Sequence, residues 1–157
     1  MLEVFLAQSQ IFSDIRPHRL STVLGSCVAV CLWDQRLKFG GMNHYMLPMW
    51  NGAGLASPKY GNIAIPKLIE QMNALGGNPQ DYIAKVFGGG NVMGDEDKPY
   101  IYQIGTRNAE HAIHMLTYEN IPVVAQKLRP NNGLKITMDT GTGEVLVRNV
   151  RRLSDIS

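Results

Sequence analysis

The stretch LGSCVAVCLWDQRLKFGGMNHYMLP, Leu24 to Pro48, decides how this chain is read. VAVCLW (Val28 to Trp33) is rich in β-forming residues, and so is FGGMNHYML (Phe39 to Leu47). The polar DQRLK between them predicts a hairpin. With its turn centred between Gln35 and Arg36, Cys31 faces Gly40, Ala29 faces Met42 and Cys27 faces His44. Directly opposed residues share one face of the sheet, with Cβ atoms about 4.5–5.5 Å apart. A thiol and an imidazole so placed can share a proton. A slip of one residue sends the histidine to the other face, so the pairing rests on turn parity.

Cys27 and Cys31 are the only cysteines in the chain. Four positions apart on an extended run they lie roughly 13 Å from each other, beyond disulfide reach. Cys31, between Val30 and Leu32, has the surroundings of a small inert hydrophobe. Cys27 follows Gly25–Ser26 at the strand entrance, where a sharp turn can leave amide N–H groups free to face an oxyanion. A neighbouring histidine can shuttle the thiol proton, so Cys27 is the candidate nucleophile and His44 the candidate base. Ser21 and Thr22 lie just upstream, and either hydroxyl can orient the ring. A hydroxyl is a weaker orienter than a carboxylate.

The 157 residues fit one domain spanning 1–157, with 45% apolar and 18% charged residues. A formal charge of +2, with one short basic cluster at Arg148, Arg151 and Arg152, is too thin for a nucleic-acid partner. No run approaches the ~18 apolar residues of a membrane span. The N-terminus, MLEVFLAQSQ, lacks the basic start of a signal peptide. The expectation is a cytoplasmic protein with reduced thiols.

Around the central hairpin, Leu2 to Ala7 reads as a strand and residues 8–20 as a surface connection. Apolar residues at helical spacing predict a helix over 63–75, ending at Gly76–Gly77, and a second over 108–118. Tyr82 to Phe87 reads as a strand entering the loop GGGNVMGDEDK. Three strands follow: 122–128, 134–140 and 144–150, the last two joined at GTG. The class is α+β: largely antiparallel, sandwich-like sheets with two main helices packed on them. His111 and His114 stand three apart on the second helix, but no neighbouring donors complete a metal set, and no cofactor is expected. GGGNVMG lacks the ending of a phosphate loop. The acidic Asp95–Glu96–Asp97 reads as a solvated tip.

These motifs together resemble the CheD family, the chemoreceptor glutamine deamidases of bacterial chemotaxis. Gly25–Ser26–Cys27, His44 to Pro48, Lys59–Tyr60–Gly61, Val86 to Gly90, and Ile104–Gly105 with Arg107–Asn108 stand in the family's order. The resemblance implies a cysteine hydrolase that converts receptor glutamines to glutamates with ammonia release. It implies a fold similar to the catalytic domain of the cytotoxic necrotizing factor toxins and a Cys-His-hydroxyl triad. Cys27 and His44 take the first two roles. The family's hydroxyl lies six residues before the cysteine, which is Ser21 here, with Thr22 beside it. Gly25, Ser26, Tyr60, Gly89 and Asn108 are implied around the substrate, and loops 48–62 and 88–98 as its recognition surface. Chemotaxis receptors and the phosphatase CheC are the implied partners. Receptor methyl-ester hydrolysis and a non-catalytic role in binding receptors or CheC are the other readings. A thiol redox role would need Cys31 as well.

Overall fold

A computed structural model gives the architecture; it describes residues 1–91 and 97–152. Asp95 and Glu96 of the acidic run, the centre of the 88–98 loop, and the side chains of Arg151 and Arg152 lie outside the described residues. The elements run β1 (Leu2–Phe5), β2 (Ile11–Asp14), β3 (His18–Leu24), β4 (Val28–Asp34), β5 (Phe39–Asn43), α1 (Gly61–Ala74), β6 (Tyr82–Gly88), α2 (Ile104–Tyr118), β7 (Val123–Leu128), β8 (Asn132–Asp139) and β9 (Val145–Arg152). One sheet has the order β1-β3-β8-β9, the other β2-β5-β4-β6-β7. Two of the described pairings are parallel, β1 with β3 and β6 with β7, and the rest are antiparallel. The expected α+β class with largely antiparallel sheets and two helices is what the chain adopts.

Three layers stack on each other. Val28, Val30 and Leu32 of β4 join Ala64, Ile65, Leu68, Ala112 and Leu116 of the helices in one core. Cys27, Ala29 and Cys31 join Leu20 and Leu24 of β3 and Leu134, Ile136 and Met138 of β8 in a second core between the sheets. A strand covered on both faces reads as an unbroken apolar run, and VAVCLW is that strand.

The central hairpin forms, with a register offset from the expected one. Cys31 pairs with Met42, Trp33 with Gly40 and Asp34 with Phe39. The cause is Asp34. Its Oδ1 accepts the N–H groups of Arg36 at 2.9 Å and Leu37 at 2.8 Å. Lys38, in a left-handed conformation (φ 56°), donates its N–H to the Asp34 carbonyl at 2.8 Å. The loop therefore spans Gln35 to Lys38, and every partner moves by two positions. Parity is kept, so each side chain stays on its expected face.

The expected connection over residues 8–20 is a correction. It holds β2, a short edge strand on β5, and the start of β3. β2 is half-buried at all four positions and so lacks an alternating pattern. His18 is buried, edge-on to Phe12 with ring centroids 4.8 Å apart. Helix α2 starts one turn before the expected Asn108, at Ile104. Gly105 permits this, because a Cβ there would lie 2.1 Å from the Gly90 carbonyl oxygen.

Candidate active site

Along β3 the side chains alternate, and Leu20, Thr22 and Leu24 enter the space between the sheets. Ser21 points the other way, half-buried and in register with Thr137. Thr22 alone of the two hydroxyls meets His44: Oγ1 lies 2.7 Å from Nδ1. Thr22 also donates its hydroxyl to the Leu6 carbonyl at 2.7 Å. The two-residue spacing of Leu20, Thr22 and Leu24 was a signal in the sequence that separates Thr22 from Ser21.

His44 follows directly on β5. Its carbonyl accepts the N–H of Ser9 at 2.8 Å, and its N–H donates to Gln10 at 3.2 Å. The residue is 3% exposed, and its Nε2 is buried without a hydrogen-bond partner among the described residues. Burial pulls its pKa down to about 4, so the ring is neutral at physiological pH.

Cys27 does not face His44 directly. Val28 exchanges both backbone hydrogen bonds with Tyr45, at 3.1 and 3.0 Å. One step along the ladder, Cys27 comes level with Met46, and His44 becomes its diagonal neighbour on the same face. Diagonal neighbours have a spacing of about 7–8 Å, within reach of an aromatic ring. No thiol–imidazole hydrogen bond is formed in this resting arrangement. Cys27 is 8% exposed. Desolvation raises its thiol to about 11, only partly opposed by its own backbone N–H. With the thiol pushed up and the imidazole pulled down by burial, both partners rest uncharged.

The turn carrying Cys27 is held on two sides. Its carbonyl accepts the Gly89 N–H at 2.8 Å, and the Gly25 carbonyl accepts the Gly90 N–H at 2.9 Å. Gly88, at φ 103°, is needed for this approach, since a Cβ there would sit 2.2 Å from the Cys27 carbonyl oxygen. Asn108 reaches in from α2, donating Nδ2 to the carbonyls of Ser26 at 3.0 Å and Met46 at 2.9 Å. The residue is fully buried, so it fastens the site and does not line its surface. The amides of Ser26 and Cys27 donate to no backbone acceptor among the described residues. Tyr60 lies one segment further out, paired with Leu47 ahead of α1.

A cavity of about 440 Å³ opens onto Thr22 and His44, walled by Phe5, Leu6, Ala7, Gln8 and Val23. A larger one, about 730 Å³, lies along α2 between Arg107, His111, His114 and Arg129, and touches neither Cys27 nor His44. Among the described residues no three His, Cys, Asp or Glu side chains gather as metal donors.

The family profile described as CheD chemotactic sensory transduction matches residues 46–149. The chain belongs to the CheD family. Curated relatives in that family extend the likeness across the N-terminal part, where Cys27, His44 and Thr22 lie. A Sulfurimonas denitrificans protein, named a probable chemoreceptor glutamine deamidase CheD, is 45% identical over 148 residues, 94% of each chain. A Trichlorobacter lovleyi protein of the same name is 50% identical over 143 residues, covering 91% of this chain and 88% of its own. A third such CheD protein, from Rhodospirillum rubrum, is 41% identical over 156 residues, covering 96% and 84%. No helix among the described residues is long and apolar enough to cross a membrane.

Proposed function

We propose that this protein is a protein-glutamine deamidase acting on chemotaxis receptors, with Cys27 as nucleophile, His44 as base and acid, and Thr22 as the hydroxyl that orients the ring. The observation that carries the reading is the buried Thr22–His44 hydrogen bond on the face that holds Cys27, in a CheD-family chain.

Because both partners rest neutral, proton transfer accompanies attack and does not precede it. Cys27 Sγ bonds to the glutamine amide carbon while its proton passes to His44 Nε2. The oxyanion is met by the amides of Ser26 and Cys27, which donate to no backbone acceptor among the described residues. His44 gives the proton to the amide nitrogen, which leaves as ammonia, and a thioester remains. Water then attacks the thioester, His44 taking its proton and returning it to the departing sulfur. The products are glutamate, ammonia and the free thiol.

The proposal also sets the reaction in the cytoplasm and adds a CheC-type phosphatase as a second partner, readings that membership of the CheD family supports. The test is ammonia release, with mass spectrometry of the product, from a receptor cytoplasmic fragment. Wild-type protein converts glutamine to glutamate and Cys27→Ala does not. Absence of conversion by wild-type protein that binds the fragment would leave a binding module.

A further inference from the structure

The turn between β1 and β2 fastens both hydrogen-bonded members of the site at once. Leu6 is fixed to β3 by its N–H, which donates to Ser21 at 2.8 Å, and by a side chain that is 1% exposed. Its carbonyl takes the Thr22 hydroxyl at 2.7 Å. Three and four residues on, Ser9 and Gln10 hold the two backbone polar groups of His44. Ala7 N–H closes the turn on Gln10 Oε1 at 2.9 Å.

A threonine hydroxyl carries one proton. With that proton on the Leu6 carbonyl, Thr22 Oγ1 can only accept from His44, so Nδ1 bears the ring proton. The lone pair of the neutral imidazole then sits on Nε2, the buried atom with no partner among the described residues. Released from Leu6, Thr22 could donate to Nδ1 instead. The proton would move to Nε2, which could no longer take one from a thiol.

We propose that the Leu6 carbonyl is a positioning group that selects the Nδ1–H tautomer of His44. Its catalytic consequence rests on the deamidase reading; the tautomer itself is a property of the resting protein and is measured without substrate.

Cys27 follows Ser26, so the full chain can be assembled by ligating a peptide of residues 1–26 to the segment beginning at Cys27. An ester in place of the Leu6–Ala7 amide weakens the Leu6 carbonyl as an acceptor. It also deletes the Ala7 N–H, and Gln10→Ala, which loses the same partner, controls for that. Nitrogen NMR of His44 is expected to give the Nδ1–H form in wild type, Gln10→Ala and Thr22→Ser. The ester protein is expected to give a mixture, with kcat for ammonia release lowered roughly three- to tenfold at unchanged KM. An unchanged tautomer in the ester protein overturns the proposal, as does a shifted tautomer with unchanged kcat. A shifted tautomer in a protein whose wild type releases no ammonia retains the role of Leu6 and sinks the deamidase reading.

Discussion

Asn108 donates its side-chain amide to the carbonyl of Ser26, one residue before Cys27, across 82 positions of sequence. The same nitrogen holds Met46, and the Asn108 carbonyl accepts the Tyr45 hydroxyl at 2.5 Å. One residue of α2 thus ties the turn that carries the nucleophile to the segment that carries the base. Asn108→Ala leaves two part-buried carbonyls without their donor and should cost about 1–3 kcal/mol in urea unfolding. Asn108→Asp should cost more, because a carboxylate would face both carbonyls. In folded Asn108→Ala, kcat should fall by more than KM rises, the mark of misplacement over lost contact with substrate.

Acid should weaken the fold through His44. Its folded pKa, about 4, lies below the ordinary 6.5 because burial penalises the charged ring. The unfolded chain therefore binds the extra proton. The contribution is complete above pH ~6.5 and is lost as pH falls toward ~4, up to about 3 kcal/mol. Urea midpoints taken from neutral pH to about pH 4 should fall more steeply in wild type than in His44→Gln. Activity should keep a flat profile across neutral pH and drop only as His44 protonates near pH ~4.

A neutral resting thiol alkylates slowly. Cys27 should react with iodoacetamide at a rate that climbs with pH through ~9, with no plateau at acid pH, because its pKa is pushed up to about 11. Cys31 is 2% exposed and raised further, to about 12. Cys31→Ser should lose about 1–3 kcal/mol of stability for the hydroxyl it buries and keep its catalytic rate. A loss of rate matching that of Cys27→Ser would point to redox chemistry instead.

Asp34 is buried, and its two oxygens serve Arg36, Leu37 and Asn78. Asp34→Ala should cost about 2–3 kcal/mol, since three backbone donors lose a charged acceptor. Asp34→Asn, which keeps one acceptor oxygen, should recover part of that. Thermal unfolding of both variants settles the order.

The sequence was legible wherever one residue's neighbours fixed its face. β4 and β5 announced themselves by composition, and the even turn kept Cys27 and His44 together although its centre was misplaced by one residue. That centre depended on the Asp34 side chain and a left-handed Lys38, which composition does not encode. Residues 8–20 were illegible because β2 is too short and too evenly half-buried to alternate. The role of Asn108 was hidden for another reason: its partners, Ser26 and Met46, come from distant parts of the chain, and only the packed α2 brings it to them.

Thr22 belongs to one sheet and His44 borders the other, with the inter-sheet core around them. Turnover therefore works as a gauge of how truly the two layers are seated. On heating, or in a cavity variant such as Met138→Ala, the sheets can loosen by a fraction of an ångström while helices and strands persist. Catalysis should then fade several degrees before the far-ultraviolet dichroism does.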